Sequence, residues 1–337
     1  MSYRKTMTLS AGFLLNNRYR ILSILGQGGM GAIYRAVDEN LGISVAVKEN
    51  LFLTDEYARQ FQREANILAS LHHPNLPRVR DYFSIPNQGQ YMVMDYIEGE
   101  DLRARIDRIK YLPEKEAILI ALGILDALSY MHSREPAVVH RDVKPGNIRI
   151  TPDGSVVLVD FGLAKVMQGN QVTTTGARAM TPGYSLPEQY GTGRTDARTD
   201  IYSLGATLYA SLTGVIPEDG LERATGKSEL TPLRSFQPRV NRRVAAVIEK
   251  SLAVEPDDRY QTADNFREAL IDASELYSAR QNRLTVPPPP STPPFDEEEP
   301  SSEDNIPEVK PPSKKHRSGK KLKWLPAVLV LSIIGTI

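Results

Sequence analysis

The sequence contains no cysteine in its 337 residues. Disulfide bonds, thiolate nucleophiles and cysteine-type zinc sites are therefore excluded, and a reducing compartment is the simplest setting for the chain. A net charge is missing as well, because 41 basic residues balance 41 acidic ones at pH 7. This balance gives no overall case for nucleic acid as a partner, so we expect none.

The sequence also shows no signal-peptide pattern near residue 1 and no internal repeat. The apolar run at residues 11–15 is too short for the core of a signal peptide, so we expect this end to stay in the cytosol. No motif recurs at a fixed period, which sets aside solenoids and propellers. The length and a hydrophobic content of 41% allow two globular units and a tail.

The most informative stretch begins with a polar loop at residues 140–147. A strand is predicted at 148–150 and a second one at 156–159, joined by a two-residue turn within 152–154. Polar side chains stand just before and just after this hairpin. The two ends of a hairpin meet in space, so we expect these side chains to lie together.

Three of these side chains are Asp142, Asn147 and Asp160. A solvated polar residue beside an ordinary hairpin would explain any one of them. As a set they suit phosphoryl transfer, because Mg²⁺ prefers hard oxygen ligands and the attacking hydroxyl needs a carboxylate to orient it and accept its proton.

A glycine-rich turn lies near the start of the chain. Residues 26–31 read Gly-Gln-Gly-Gly-Met-Gly and separate two predicted strands, at 19–25 and 32–37. No helical period follows, which argues against a dinucleotide-binding turn, and no Gly-Lys-Ser/Thr follows, which argues against a P-loop. Glycines at a hairpin tip let backbone N–H groups approach phosphate oxygens, although a merely flexible hairpin would show the same pattern.

Two charged residues follow this turn. Lys48 ends an apolar strand, and Glu64 lies on a helix predicted at 54–71. Alone, Lys48 would be an edge residue whose stem covers apolar surface, and Glu64 a solvated helix residue. The remaining predicted strands are at 79–83 and 90–95, and the main helices are predicted at 113–132, 200–212, 242–252 and 262–277.

The order and spacing of these features resemble the eukaryotic-type serine/threonine protein kinases, with the pattern of the bacterial membrane-anchored members. The resemblance implies an α+β fold of two lobes, with the protein kinase domain at residues 19–278 after an N-terminal extension at 1–18. The N-lobe (19–97) should be small and β-rich with one main helix, and the C-lobe (98–278) larger and mainly helical.

The resemblance also implies roles for the residues around the hairpin. Asp142 would be the catalytic base, and Lys144 would stabilise the transferring phosphoryl group. Asn147 and Asp160 would bind Mg²⁺, with Mn²⁺ as an alternative. A lysine two residues after the aspartate is the serine/threonine pattern in this family.

ATP would lie between the lobes. Lys48 would hold its α- and β-phosphates and pair with Glu64, and Met94 would stand at the back of the adenine pocket. The other residues implied in nucleotide binding are Gly26, Gly28, Gly31, Ile33, Ala46, Asp95 and Ile97, the last two through their main chain only.

The segment from Asp160 to Glu188 is long and polar, which calls for a functional reason. Phosphorylation is one, because Arg141 would pair with a phosphothreonine and order the segment. A threonine-rich loop that is never modified is the alternative. We expect Thr181 to lie in the substrate-docking segment, where its hydroxyl would contact Asp142 and Lys144. The candidate regulatory residues are Thr173, Thr174 and Thr175.

Three further positions carry structural expectations. Glu188 should pair with a buried Arg259, and Asp200 should cap or brace the backbone of the catalytic loop. Arg149 departs from the family pattern, which has an apolar residue under the adenine ring. Its methylene stem would serve there, with the guanidinium reaching solvent. Two smaller departures are Ile33, where valine is usual, and Leu186, where alanine is usual.

The composition changes abruptly near residue 284. Residues 284–313 are rich in proline and acidic side chains, which predicts a disordered linker. A basic segment at 314–323 precedes an apolar one at 324–337, as at the cytoplasmic side of a transmembrane helix. This run has 14 residues, fewer than the roughly 20 that a bilayer requires, so we interpret it as the start of a span. A hydrophobic end that packs on the domain is the alternative.

The sequence thus favours a membrane-anchored, ATP- and Mg²⁺-dependent kinase that phosphorylates serine or threonine in proteins and self-associates for autophosphorylation. The kinase domain should face the cytoplasm, and the whole chain should be cytoplasmic if the last segment does not span. A pseudokinase is the main alternative, and Arg149 is the one feature in its favour. Lys144 and the long docking segment argue against a small-molecule kinase.

Overall fold

The computed structural model describes residues 8–28, 31–50, 55–86, 88–160, 165–166, 183–184, 195–274 and 286–289. The chain divides into two compact units, Met1–Ser291 and Thr292–Ile337, and the second unit lies outside the described residues. The segments predicted at 314–323 and 324–337 lie there as well, and those two interpretations stay predictions.

The first lobe is built on an antiparallel sheet of six strands, in the order β1-β2-β3-β4-β6-β5. Burial alternates perfectly along β3, as expected for a strand with one face against a core. A 15-residue helix, α1, packs against the sheet and buries Phe61, Ala65 and Leu68. The elements are β1 (Leu14–Leu15), β2 (Tyr19–Gly28), β3 (Gly31–Asp38), β4 (Ile43–Asn50), α1 (Asp55–Ala69), β5 (Val79–Ile85) and β6 (Gly89–Asp95).

The two faces of this sheet belong to different cores. Val45 and Val47 of β4 lie in a small cluster on one face of the sheet. Ala46 and the paired Met94 point to the other face and join the main core, which continues through α1 into the second lobe. Side chains alternate between the two faces of a strand, so Lys48 lies on the same face as Ala46. Its ammonium is therefore on the side of the large lobe.

The second lobe is mainly helical. Its core contains α3 and α4, which are apolar on nearly all sides, as expected for helices surrounded by protein. Asp196 caps the start of α4, and Gly214 ends it in the left-handed conformation, with φ 73°. The helices are α2 (Leu102–Ile109), α3 (Glu114–His132), α4 (Ala197–Thr213), α5 (Gly220–Ala224), α6 (Leu233–Phe236), α7 (Arg242–Ser251) and α8 (Ala263–Ser274).

Short strands join the helices to the site. β7 (Glu100–Asp101), β9 (Ile148–Ile150) and β10 (Val156–Leu158) form one antiparallel sheet in the order β10-β9-β7. β8 (Val138–Val139) pairs with β11 (Lys165–Val166).

The α+β architecture of two lobes is confirmed, and the predicted helices and strands are present with ends shifted by a few residues. The expected turn between β9 and β10 is present: the N–H of Gly154 donates to the carbonyl of Thr151 at 2.9 Å, which places Pro152 and Asp153 at the centre of a β-turn. The Asp153 carboxylate also accepts hydrogen bonds from the hydroxyls of Thr151 and Ser155, at the two ends of the connection. Gly154 closes this loop with φ 78°.

Residues 286–289 differ from the expected linker at 284–313. Val286 is 3% exposed and belongs to the main core, although the four prolines that follow it predict a linker and not a buried segment. Among the described residues, no helix combines the length and the apolar character needed to cross a bilayer.

Candidate active site

The loop before β9 holds a carboxylate between an ammonium and an amide. Asn147 Nδ2 donates to Oδ2 of Asp142 and to its backbone carbonyl, both at 2.8 Å. Lys144 Nζ lies 2.8 Å from the same Oδ2. A 3₁₀ turn at Pro145–Asn147 brings the amide back to the aspartate, and Asn147 is only 6% exposed. The carboxylate of Asp142 is therefore fixed in position before any ligand arrives.

Asp200, on α4, binds the backbone of this loop. Its carboxylate is fully buried and accepts from the N–H of His140 at 2.8 Å and the N–H of Arg141 at 2.7 Å. His132 Nε2 lies 2.9 Å from Oδ2. Arg141 has a left-handed backbone, with φ 70°, a conformation that costs energy for a residue other than glycine. The hydrogen bonds to Asp200 offset that cost.

The hairpin carries Asp160 to the same place. β9 and β10 pair residue by residue, and the N–H of Val159 donates to the carbonyl of Asn147 at 2.8 Å. Asp160 follows with φ 54°, which turns the chain at the end of the strand. Asp142, Asn147 and Asp160 therefore lie together, as the sequence predicted.

Lys48 reaches this group from the other lobe. Its Nζ lies 3.2 Å from Oε1 of Glu64 on α1 and 3.5 Å from Oδ1 of Asp160. Glu64 is only 2% exposed, whereas Asp160 is partly open to the cleft. One ammonium thus connects the main helix of the small lobe with the hairpin of the large lobe.

The pKa values follow from burial and these contacts. Burial acts to lower the pKa of Lys48, but Glu64 and Asp160 more than offset it and raise the value to about 12. Burial raises the pKa of the Glu64 carboxyl, and Lys48 opposes that shift. The lysine faces two carboxylates, so it stays charged, and the ion pair is the arrangement at neutral pH.

The loop residues are shifted as well. Burial acts to raise the pKa of Asp200, but the hydrogen bonds and charges of its partners, His132 first, bring it below its ordinary value. Burial lowers the pKa of His140, which favours the neutral ring. Burial also lowers the pKa of Arg141 to about 10, against the opposing effect of Asp200. The loop thus rests on a buried carboxylate that remains ionised.

The glycines of the predicted phosphate-binding turn have different environments. Gly31 has φ 154°, and a Cβ there would lie 1.9 Å from the carbonyl oxygen of Glu49. A Cβ at Gly26 would meet nothing within 4 Å. The fold itself therefore requires glycine at position 31, whereas glycine at position 26 leaves space that a ligand can fill. Gly28 pairs with Gly31 at the end of the β2–β3 hairpin.

This contrast gives a matched pair of variants. We expect Gly31→Ala to destabilise the protein by about 1–3 kcal/mol, because backbone atoms must move. Gly26→Ala should change the free energy of unfolding by less than about 0.5 kcal/mol. It should nevertheless reduce the rise in melting temperature caused by ATP and Mg²⁺, because the added methyl group enters the ligand's space. Thermal denaturation with and without ATP checks both, and equal behaviour of the two variants would contradict this interpretation.

The residues of the predicted adenine pocket come from the sheet of the small lobe on one side and from β9 on the other. Ala46 pairs with Met94 across the sheet, and Ile33 pairs with Lys48. On the side of the large lobe, Arg149 lies in β9, and its Nη1 donates to the carbonyl oxygen of Gly99 at 2.8 Å. The guanidinium therefore binds the segment between the lobes, where we had expected it to reach solvent.

Asp95 and Ile97, the two residues expected to contact adenine through their main chain, lie at the end of β6 and just after it. The N–H of Asp95 donates to the carbonyl of Arg78 at 3.0 Å, and its carboxylate accepts from the Arg80 side chain. Asp95 thus anchors the segment to the chain just before β5. Its role towards a nucleotide stays a prediction.

The donor set fits a divalent cation. Asn147 uses its amide nitrogen on Asp142, which leaves the amide oxygen as its atom for a cation, and Asp160 adds a carboxylate nearby. Hard oxygen ligands of this kind suit Mg²⁺. Within the ranges that the structure describes, no cluster of three or more His, Cys, Asp or Glu side chains forms a metal site of another type.

Several predicted residues lie outside the described ones: Thr173, Thr174, Thr175, Thr181, Leu186 and Glu188. Arg259, the expected partner of Glu188, is buried, donates to the carbonyls of Ala253 and Val254, and lies 5.2 Å from the ring centre of Tyr202. The expected pairing between Glu188 and Arg259 therefore stays a prediction.

Sequence reasoning missed two residues that support the loop. His132, at the end of α3, contacts Asp200, and Thr195 accepts a hydrogen bond from Arg141. A polar residue at the last turn of a mainly apolar helix is a weak signal for His132. Nothing in the sequence near Thr195 points to its contact, because 54 residues separate the partners.

Comparison with known proteins agrees with this geometry. The model of the protein kinase domain family matches residues 19–271. The chain is 31% identical to the serine/threonine-protein kinase PrkC of Bacillus subtilis and 34% identical to PknB of Mycolicibacterium smegmatis, over 96% of this chain in both cases. It is 35% identical to PknA of Mycobacterium tuberculosis over 78% of this chain. The chain spans only 52%, 54% and 63% of the lengths of these relatives.

A solved structure gives the same result. The crystal structure of the Mycobacterium tuberculosis PknI kinase domain superposes with a TM-score of 0.62 at 29% identity, and the match covers 79% of this chain and all of that one. Fold, site geometry and sequence similarity agree. The chain belongs to the protein kinase domain family, among the eukaryotic-type serine/threonine protein kinases.

Proposed function

We propose that the chain transfers the γ-phosphoryl group of ATP to serine or threonine hydroxyls of proteins. One observation carries this proposal: Asp142 is held by Lys144 and Asn147 on one lobe, while Lys48 reaches Asp160 from the other. Phosphoryl transfer depends mainly on positioning and on charge stabilisation, and this arrangement supplies both.

The chain's own residues divide the work. Asp142 orients the attacking hydroxyl and accepts its proton, because Asn147 and Lys144 hold its carboxylate at the loop surface. Lys144 also stabilises the negative charge of the phosphoryl group that is transferred. Lys48, aligned by Glu64, holds the α- and β-phosphates.

Asn147 and Asp160 are the residues that would hold Mg²⁺, with Mn²⁺ as an alternative. A cation held by these two residues would neutralise phosphate charge during transfer. Asn147 is fixed by the bond to Asp142, and Asp160 by its ion pair with Lys48, so the ligand oxygens are oriented in advance.

The nature of the substrate follows from Lys144 and from the relatives. Three relatives are named serine/threonine-protein kinases, and the lysine two residues after Asp142 is the pattern of that class. We propose protein substrates for this chain on that basis. The chain spans about half the length of two of these relatives, so the activity is proposed for the domain in hand.

Regulation is proposed at the segment that follows Asp160. Arg141 has a half-buried guanidinium beside Thr195, and a phosphate on Thr173, Thr174 or Thr175 would give that cation a strong anionic partner. Autophosphorylation between two copies of the chain would produce this phosphate. Thr181 would belong to the substrate-docking segment, with its hydroxyl at Asp142 and Lys144.

Membrane attachment is proposed through the C-terminal segment. Residues 314–323 are basic and 324–337 are apolar, which suits attraction to anionic lipid headgroups followed by insertion. The kinase domain would then face the cytoplasm at the cell membrane.

The test of the proposed function uses the full chain and a generic basic protein. The mixture is incubated with ATP and Mg²⁺, and in parallel with excess EDTA, and phosphorylation sites are mapped by mass spectrometry. We expect phosphoserine and phosphothreonine on the basic protein, and phosphothreonine within residues 173–175, only in the sample with metal. No phosphate in either sample, or phosphate on tyrosine alone, would reject the proposal.

A further inference from the structure

A short segment beyond the last helix packs on the large lobe. Val286 is 3% exposed within the main core, and its N–H donates to the carbonyl oxygen of Gly154 at 2.9 Å. The carbonyl oxygen of Pro287 accepts from Nη2 of Arg105 at 2.9 Å. Successive residues of this segment thus use one donor and one acceptor, and a side chain is buried between them.

The surface below this segment contains a buried ion pair. Arg105 on α2 is only 5% exposed, and its Nε lies 2.8 Å from Oε1 of Glu116, a buried residue in the first turn of α3. A buried guanidinium is held in place by its carboxylate partner and directs a second nitrogen towards the segment. Burial of a charged group of this kind is costly without such partners.

The sequence of the segment suits binding in an extended form. Residues 287–290 are all proline, and proline fixes φ near −65° and has no N–H to satisfy. A residue before proline is itself restricted to extended conformations, which applies to Val286. The segment therefore loses little conformational freedom when it binds, and the one N–H it has is used on Gly154.

We propose that the large lobe carries a docking site for an extended Val-Pro-Pro segment, and that residues 286–289 of the chain itself occupy it. The site consists of the Arg105 guanidinium, the Gly154 carbonyl and the apolar position taken by Val286. Gly154 lies in the loop between β9 and β10, so the docked segment is joined directly to the hairpin that carries Asn147 and Asp160. The inference does not depend on the proposed activity.

The test compares three full-length chains: the unchanged one, Val286→Asp and Pro288→Asp. Asp in place of Val286 puts a charge in an apolar position, whereas Pro288 is exposed, so its variant is a control with the same added charge. A fluorescent peptide with the sequence of residues 284–291 is titrated into each chain, and its anisotropy is measured.

We expect the Val286→Asp chain to bind the peptide at least about tenfold more tightly than the other two, because their own segment competes at a high effective concentration. Its melting temperature should also fall below that of Pro288→Asp. Adding Arg105→Lys to Val286→Asp should remove most of the peptide binding, because lysine keeps the charge beside Glu116 but lacks the second directed nitrogen.

Equal binding by all three chains, or no binding by any, would overturn the proposal. Val286→Ala repeats the comparison without a buried charge in case Val286→Asp does not fold. The alanine variant should bind the peptide more tightly than the unchanged chain and less tightly than Val286→Asp. Its failure to bind more tightly than the unchanged chain would also reject the docking site.

Discussion

Replacement of Asp142 by asparagine should lower the rate of phosphoryl transfer by about 10²–10⁴-fold, because the amide cannot accept the proton of the attacking hydroxyl. This loss corresponds to about 3–5 kcal/mol of transition-state stabilisation. Asparagine has nearly the same shape and can still accept the hydrogen bond that Asn147 donates to Oδ2. The fold and the binding of ATP should therefore be retained.

The measurement is the turnover number on a protein substrate, together with the ATP-dependent rise in melting temperature. Asp107→Asn is the control, because Asp107 is an exposed residue on α2 whose pair with Arg103 lies on the surface. The control should keep full activity. A variant Asp142→Asn with more than a tenth of the normal turnover would contradict the role of Asp142 as the base.

Replacement of Asp200 by asparagine should have the largest effect on stability. The carboxylate accepts from the N–H groups of His140 and Arg141 and contacts His132, and it is fully buried. The amide of asparagine has only one oxygen to accept these bonds. Its NH₂ group would face one of the backbone N–H groups, which is also a donor. Each buried donor without an acceptor costs about 1–3 kcal/mol. We expect a loss of about 3 kcal/mol or more, seen as a melting temperature lower by about 6–12 °C.

The same variant should lose activity below its melting temperature. Asp200 stabilises the left-handed backbone of Arg141, next to the catalytic base. Without it, the loop that positions Asp142 should relax towards ordinary backbone angles. Asp257→Asn is the control, because Asp257 is 94% exposed and its ion pair with Arg198 is expected to contribute less than about 1 kcal/mol.

The effect of Asp200→Asn should depend on pH in a defined direction. The pKa of Asp200 is lower in the folded protein than its ordinary value, so the unfolded chain binds a proton more readily. The stability from Asp200 is therefore fully present above the unfolded pKa of about 3.9 and is lost as the pH falls through the folded pKa. Chemical denaturation should give a smaller difference between the two proteins below about pH 4 than at pH 5.

The sequence predicted the centre of the site well because its parts are local. Asp142, Asn147 and Asp160 lie within one loop and hairpin, and the alternation of apolar residues in β9 and β10 was enough to bring them together. The ion pair of Lys48 with Glu64 required the resemblance to the family, because nothing in a single sequence says that this strand and this helix face each other.

The features that the sequence did not predict are long-range contacts. Arg105 and the carbonyl of Pro287 are 182 residues apart, and a proline-rich composition argued for a linker. The turn of the hairpin, by contrast, follows from the local Pro-Asp-Gly signal. A long-range hydrogen bond from a side chain to the backbone, such as that of Arg105, leaves no hydrophobic pattern in the sequence.

The contacts of Lys48 have a consequence for domain movement. Asp142, Asn147 and Asp160 all belong to one loop and hairpin of the large lobe, so rotation of the small lobe as a unit leaves their mutual distances unchanged. Such rotation would change the gap between Lys48 Nζ and Asp160 Oδ1, which is 3.5 Å here. The distance between two spectroscopic labels, one on each lobe beside that gap, would therefore report the opening and closing of the cleft.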